Sequence, residues 1–344
     1  MDQDSYRMLR ENVDEFCARN VEPVSLKMER EGMASDLAKK SGTQGFNAAI
    51  AAQSNGGSAL DRESYLTILE RAARSSPSFA MFLLMQNSIA GRILEAAGKT
   101  GEIGEIASGA KTATVEFLSL NESSSAEYSI NVSNGKATGK LRNVIFPSAD
   151  LIVFLHQDSL YLARGSDGTE PLPVLGFRGL GLGDVVFRDR PVEKLSENGG
   201  AKLIMDALKN AGREVSAVAL GITGRSVDMA VEYSRVRKTF GRPLKDYEPV
   251  AFQLAGFKAQ EEELRSMIFF SSVQDGYIKP LATDLARRAT KIALQVHGGY
   301  GYLEDFGVEK FYRDSMTLSI YFGPSRSDMR NLSREVYGEE SGVI

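Results

Sequence analysis

Two stretches of the 344-residue chain concentrate side chains suited to holding a ligand. In Arg237-Lys238-Thr239-Phe240-Gly241-Arg242-Pro243, Arg237 can grip a phosphate through two parallel bonds, Thr239 can donate its hydroxyl, and Gly241 lets the chain turn away after Phe240. The same cations, with Arg235, also suit a plain helix C-terminus, where the macrodipole favours positive charge. The second stretch, Gln295 to Ser327, reads QVHGGYGYLEDFGVEKFYRDSMTLSIYFGPSRS. Before it, Leu285, Ala289, Ile292, Ala293 and Val296 form an apolar helical stripe that stops at Gly298-Gly299, where positive φ becomes free. A loop with Gly301 between Tyr300 and Tyr302 follows, then a short amphipathic turn around Phe311 and Tyr312. Tyr321-Phe322-Gly323-Pro324 comes next, with a helix expected from Ser325 and Asp328 completing its capping pattern. Irregular segments at helix ends are where a chain of this size places a cofactor and its chemistry.

Other chemistries lack their residues. Cys17 is the sole cysteine, and His156 and His297 are the only histidines, so structural zinc and a histidine-based triad are excluded. Cys17 continues the stripe of Tyr6, Leu9, Val13 and Phe16 and reads as a small buried hydrophobe. Gly179, Gly181 and Gly183 in FRGLGLGD precede no helix, so they fail the context a phosphate cradle requires. A net charge of −4 gives no footprint for nucleic acid. The most apolar run, Phe79 to Met85, is too short to span a bilayer and has no charged leader before it, which implies a cytoplasmic protein without a membrane span.

The elements that must position these residues fall into three parts, 1–110, 111–195 and 196–344. The first is helical. Its initial stripe runs until Pro23, Leu66, Leu69 and Ala73 mark a second helix, and Ser78 opens a nearly all-apolar third that continues through Ile89, Ile93 and Leu94. From about 111 the period changes to two. Tyr128 to Val132 before Asn134-Gly135 is a hairpin signal, Leu151–Leu155 and Leu160–Leu162 flank Gln157-Asp158-Ser159, and Asp184–Asp189 is a last strand before Pro191. Short strands without intervening helices predict an antiparallel, barrel-like β-domain. The last part is helical again. Ala217, Gly221 and Gly224 form a stripe of small residues, Pro249 sits in a first turn, Val250 to Ile268 carry a helix toward Gly276, and helices at 283–297 and around Met329, Leu332 and Val336 complete a four-helix bundle. The fold class expected is α+β multidomain.

QVHGGYGYLEDFGVEKFYRDSMTLSIYFG resembles the closing signature of the flavin-dependent acyl-CoA dehydrogenases, including Arg313-Asp314 and its spacing to Tyr321. Arg237-Lys238-Thr239-Phe240-Gly241 is similar to that family's Arg-x-x-Phe-Gly run, which reaches the flavin pyrophosphate of a neighbouring subunit. Asn55-Gly56-Gly57-Ser58-Ala59-Leu60-Asp61 is similar to its Gly-Gly-x-x-Leu-Asp linker, and Gln86-Asn87-Ser88 to a polar triplet on the following helix. The resemblance implies FAD as cofactor, held by Arg237, Thr239, Phe240, Gln295, Gly298 and Gly299, with Phe240 packed on a cofactor ring. It implies an acyl-CoA substrate at Tyr321, Phe322 and Gly323, an electron-transfer flavoprotein or similar acceptor, and a homotetramer or a mixed tetramer with a homologue.

The sequence departs from the pattern at several points. The residue after the tyrosine is a glutamate base in most of the family and is Phe322 here, which cannot accept a proton. Some members carry the glutamate just before an arginine on the helix entering the bundle, where this chain has Ala211-Gly212-Arg213, with Glu214 adjacent. A step of one or two residues turns a helical side chain by roughly 100–200°, which makes Glu214 a poor substitute. Thr114-Val115-Glu116-Phe117, Asn121 to Ser125 and Val144-Ile145-Phe146-Pro147 replace segments that normally contact the flavin, and Glu248 stands for a glutamine. The backbone amide at Phe322 remains available in principle to polarise a thioester carbonyl. Three functions are consistent with this reading: an acyl-CoA dehydrogenase with an unassigned base, a non-catalytic subunit of a mixed tetramer, and a flavin monooxygenase or oxidase on the same scaffold.

Overall fold

A computed structural model describes residues 3–121, 129–322 and 326–338. The chain forms two compact units, one of Met1–Ile68 with Ser78–Ala211, the other of Leu69–Pro77 with Gly212–Ile344.

The first unit begins with α1 (Gln3–Asn20), α2 (Ser25–Glu31), α3 (Ser35–Thr43) and α4 (Arg62–Ser75), whose second half lies in the other unit. Val13, Phe16 and Cys17 of α1 are buried as their spacing predicts, and the helix stops ahead of Pro23. Next comes α5 (Pro77–Leu84), which passes through a π-helical stretch, Met85–Gly91, into α6 (Arg92–Ala96); α7 (Thr100–Ala107) follows. The wide turn carries the polar triplet inward. Gln86 is locked to one residue, donating to the Ala113 carbonyl at 2.8 Å and accepting from the Ala113 N–H at 2.7 Å. Asn87 donates to the Phe46 and Leu83 carbonyls, both at 2.9 Å, and Ser88 meets the Tyr65 hydroxyl at 2.9 Å. Buried polar groups satisfied in this way fix one packing arrangement, and the triplet acts as structural pinning.

The strands are β1 (Ala113–Val115), β2 (Ser129–Ser133), β3 (Lys136–Ile145), β4 (Leu151–His156), β5 (Ser159–Arg164), β6 (Gly168–Leu172) and β7 (Leu182–Lys194), followed by α8 (Gly200–Asn210). The sheet order is β1-β4-β5-β7-β3-β2, with β6 also on β7. Both expected hairpins form. Asn134 (φ 51°) and Gly135 (φ 71°) make the primed turn between β2 and β3, and Gln157-Asp158 joins β4 to β5. The Tyr128 end of the first hairpin lies outside the described residues. Two details differ from expectation. One strand pair is parallel, β1 with β4, because three fully buried residues carry no alternation from which direction could be read. β7 runs straight through Pro191, since the strand's last residues pair with β5 and need no donor from that proline. Ile130, Leu141, Val144, Ile152, Phe154, Val185 and Phe187 form the core beneath the sheet.

In the second unit, α9 (Gly212–Val236) leads into a two-residue hairpin, β8 (Lys238–Thr239) with β9 (Arg242–Pro243). It is followed by α10 (Glu248–Phe270), α11 (Asp275–His297), α12 (Val308–Tyr321) and α13 (Arg326–Tyr337). Three boundaries differ from expectation. α10 ends at Phe270 and not near Gly276, which lies in the first turn of α11. Pro280 then sits inside α11 as its sixth residue, where the bond to the Gly276 carbonyl is missing. The expected short turn at Phe311 and Tyr312 is the 14-residue α12, whose buried residues Val308, Phe311, Ser315 and Leu318 keep a helical period.

Contacts along the bundle set the helix directions. Arg213 reaches Asp275 at 2.8 Å near the starts of α9 and α11, while Tyr233 stacks on His297 near their ends, so the two helices run side by side in the same direction. α12 returns antiparallel to both. Its Val308 clusters with Ala230, Leu254 and Ala293, and its Ser315 meets Thr290 at 2.9 Å. At Gly221 of the small-residue stripe, an added Cβ would stand 2.3 Å from the Glu70 carbonyl oxygen, so α9 and the second half of α4 approach closely there. Beside this contact lies a charge network. Arg265 holds Glu70 bidentately at 2.7 and 2.8 Å, Lys258 bridges Asp228 and Glu261 at 2.6 and 2.7 Å, and Arg74 pairs with Asp228.

Candidate functional site

The ends of α9 and α11 and the segments after them enclose an open pocket of about 380 Å³. It is lined by Tyr233, Arg237, Thr239, Leu244, Val296, His297, Gly298, Gly299, Tyr300 and Leu303. α9 carries an apolar, small-residue face along its length and ends at Val236, which puts Arg237 one residue beyond the helix. Its backbone N–H still bonds the Tyr233 carbonyl (2.9 Å), and its own carbonyl accepts from Leu244 N–H (2.8 Å). The guanidinium is exposed and 6.0 Å from the centre of the Tyr300 ring. Among the described residues it has no carboxylate partner within ion-pair distance. The hairpin is held by the Tyr247 hydroxyl, which donates to the Thr239 carbonyl at 2.7 Å, and Arg242 lies over the Tyr247 ring at 4.0 Å.

The opposite wall is the end of α11. Gly298 N–H bonds the Gln295 carbonyl, and Gly298 turns with φ 57° and ψ −137°, a backbone that only glycine adopts without strain. Gly299 is different. Its φ is ordinary, and no atom lies within 4 Å of where a Cβ would stand, so nothing within this chain requires glycine there. Gly299 is exposed and lines the pocket. His297 is buried, stacks on Tyr233 with ring centres 4.4 Å apart, and has Phe306 edge-on at 6.4 Å. Its Nδ1–H donates to the Ala293 carbonyl at 2.8 Å. Burial moves its pKa below that of an ordinary histidine, against the smaller opposing effect of that bond. One fixed cation, a hydroxyl, an aromatic wall and an open glycine backbone are groups suited to the diphosphate of a dinucleotide.

The pocket therefore unites Arg237, Thr239, Gly298 and Gly299 and leaves out two other expected cofactor residues. Phe240 lies at the hairpin tip, 97% exposed and with φ 45°, where an aromatic residue is strained. Gln295 is exposed on α11 and contributes its carbonyl to the Gly298 cap. Tyr233, His297, Leu244 and Tyr300 escaped the sequence reading. A signal existed for two of them: Tyr233 lies four residues before Arg237 on one helix, and His297 lies between Gln295 and Gly298.

The expected acyl site is elsewhere. Tyr321 and Phe322 are buried at the far end of α12, roughly 20 Å along that helix from Val308 and hence from the pocket end of the bundle. Burial pushes the Tyr321 hydroxyl up to about 12. The Phe322 N–H donates to the Leu318 carbonyl at 2.9 Å, so the amide expected to meet a thioester carbonyl is engaged in the last turn of α12. Gly323 and Pro324 lie outside the described residues. Glu214 is fully buried in the first turn of α9, toward the same end of the bundle as Phe322 and roughly 35 Å along the helix from Arg237. Its neighbour Arg213 caps the end of α10 through the Ile268, Ser271 and Val273 carbonyls. Glu248 is exposed in the first turn of α10, where the dipole favours a carboxylate. In the first unit, Phe146 is turned into the core edge-on to Phe82 at 6.1 Å, and Thr114 donates to the Ile145 carbonyl at 2.5 Å. No group of three or more potential metal ligands occurs among the described residues.

Residues 3–101 match the profile described as acyl-CoA dehydrogenase, N-terminal domain, and residues 198–337 match acyl-CoA dehydrogenase, C-terminal domain. Among curated relatives, a 3-(aryl)acrylate reductase of Clostridium sporogenes is 25% identical over 94% of this chain and 96% of its own. An acryloyl-CoA reductase (NADH) of Anaerotignum propionicum is 29% identical over 69% of this chain and 67% of its own. The structure of butyryl-CoA dehydrogenase from Megasphaera elsdenii superposes with a TM-score of 0.86 at 23% identity, covering 98% of this chain and all of that one. With both family profiles matched in order and the fold shared from end to end, the chain belongs to the acyl-CoA dehydrogenase family.

Proposed function

We propose that the chain is an FAD-dependent oxidoreductase acting on the CH–CH bond of an acyl-CoA, and that the pocket at Arg237 and Gly299 holds the diphosphate part of the cofactor. The observation that carries the assignment is the convergence of Arg237, Thr239, Gly298 and Gly299 on one open pocket, with open space beside Gly299. FAD, when bound, supplies the hydride acceptor for the substrate β-carbon. The residues of this chain bind and orient: Arg237 neutralises phosphate, Thr239 donates, and the Tyr233–His297 stack gives a flat wall.

The pocket and Phe322 lie at opposite ends of the bundle. That separation supports a shared arrangement in which this pocket serves a flavin whose reacting ring sits on another copy or on a homologue. Phe240, fully exposed on a strained turn beside the pocket, supports the same reading, because its ring has nothing to pack on within its own chain. Val236, Phe252 and Tyr302 in this unit are also more than two-thirds exposed, as an oligomer surface requires. An electron-transfer flavoprotein as acceptor follows the resemblance. No helix among the described residues is long and apolar enough to cross a membrane.

Proton transfer at the α-carbon has no group at Phe322, and a positioned base is worth roughly 10²–10⁴-fold. The second reading, a non-catalytic subunit that lends its pocket to a glutamate-bearing homologue, is favoured by that phenylalanine and by the engaged Phe322 amide. Both dehydrogenation and the reverse reduction named in the relatives need the same proton group, so direction does not remove the difficulty. The visible spectrum of the purified chain, before and after anaerobic addition of acyl-CoAs, separates the two. Yellow protein that bleaches establishes a self-sufficient enzyme. Colourless protein that acquires flavin only when co-expressed with a homologue refutes it.

A further inference from the structure

We propose that His297 is a second, titratable cation of the pocket, taking up a proton on Nε2 when a diphosphate diester binds beside Arg237. The proposal rests on the pocket being a diphosphate site and adds to it a dependence on pH. A carbonyl oxygen only accepts, so the bond to Ala293 fixes the neutral ring's hydrogen on Nδ1 and leaves Nε2 as the nitrogen able to face a guest. The ring cannot swing away. Tyr233 covers one face at 4.4 Å, Phe306 stands edge-on, and the ring itself lines the pocket.

The surroundings decide the ring's charge. The pocket lining around the ring comes from Tyr233 of α9, Arg237 just beyond that helix and Tyr300 after α11; Glu304 and Asp305 follow in the next turn, both exposed, and Glu309 of α12 is engaged with Arg313. Among the side-chain types lining the pocket, histidine alone changes charge between about pH 5 and 8. Burial disfavours its charged form in the empty pocket. A bound anion supplies the missing counter-charge, and its place as the last residue of α11, a helix C-terminus, favours the cation further. Thermodynamic linkage then requires that binding tighten as pH falls.

The probe is ADP-ribose, a diphosphate diester that stays fully ionised through the range, titrated calorimetrically into the full chain freed of bound flavin at about pH 5.5, 7 and 8.5. The expected result is a dissociation constant roughly tenfold lower at the acid end, with about one proton taken up on binding. His297→Phe keeps an aromatic ring for Tyr233 and removes both nitrogens, and should lose the tightening at acid pH. Equal weakening at every pH, or wild-type binding that ignores pH, overturns the role of His297 alone. Failure of ADP-ribose to bind wild type at any pH overturns the diphosphate site itself, and the proposal with it. A measurement on the unmodified chain avoids dependence on a folded variant. With only His156 and His297 present, two histidine ring signals are followed by NMR. ADP-ribose should move the His297 titration to higher pH and leave that of His156, half-buried at the end of β4, in place. No movement, or movement to lower pH, overturns the proposal.

Discussion

Replacing Arg237 with alanine should weaken cofactor binding and leave the fold intact. The guanidinium is exposed, and among the described residues its side-chain neighbour is the Tyr300 ring at 6.0 Å, an exposed cation–π contact worth about 0.5–1 kcal/mol. The cost to folding should therefore be no more than about 1 kcal/mol, a shift of a few degrees in Tm for a chain of this size. Binding should suffer more. A charge-assisted bond to phosphate contributes about 1.5–3 kcal/mol, so FAD affinity should fall roughly 10- to 150-fold. Arg237→Lys, which keeps the charge and loses the planar fork, should lie between. The assay is quenching of flavin fluorescence on titration into flavin-free protein, repeated at two salt concentrations, with thermal unfolding in parallel. The assignment fails if alanine leaves affinity within twofold of wild type. It also fails if unfolding drops by ten degrees or more, since Arg237 would then be a structural residue.

Four further outcomes are expected. In Gly299→Val the added Cβ has no atom beyond its chain neighbours within 4 Å, so the change should leave Tm within about two degrees and weaken FAD binding at least tenfold; unchanged binding would show that the space beside Gly299 holds no guest. Phe322→Glu should raise the rate of anaerobic flavin bleaching by acyl-CoA if flavin and thioester are correctly placed, with a stability loss of about 1–3 kcal/mol for a carboxyl at a 6% exposed position, and no change in rate would mean that one of them is misplaced. Gly221→Val forces a branched side chain against the Glu70 carbonyl and should cost about 1–3 kcal/mol or more in urea unfolding, while a neutral result would show that α9 and α4 can separate at little cost. Asp228 is partly desolvated, but its bonds to Lys258 and Arg74 outweigh that and hold its carboxyl below the usual range. A depressed carboxyl stabilises the fold above its unfolded value of about 4 and loses that contribution as pH falls toward the folded value. Asp228→Asn should therefore flatten the acid side of the stability curve below about pH 4 relative to wild type, and identical acid limbs would exclude the network from that transition.

Much of this was legible in residue order because it depends on neighbours along the chain. Helical stripes such as Val13, Phe16 and Cys17, the Asn134-Gly135 turn, and the glycines ending α11 are local patterns with local causes, and the motif residues Arg237, Thr239, Gly298 and Gly299 do meet. Periodicity did not show where a helix stops when no breaker enforces it, which is why α12 was read as a turn and Gly276 as the far side of α10. Nor could strand alternation give direction to β1, whose three residues are all buried.

Other features exist only once the helices pack. Tyr233 and His297 are 64 positions apart, and the parallel run of α9 and α11 makes them one wall. Gln295 to Phe322 reads as a single functional stretch, but α12 carries its two halves to opposite ends of the bundle, since 14 helical residues span about 20 Å. The phenylalanine at the expected base position was plain in the sequence. That its amide is held by Leu318, and that Phe240 stands clear of its own chain, depended on where the last turn of α12 closes and how tightly the β8–β9 hairpin folds back, and both are set by the tertiary structure.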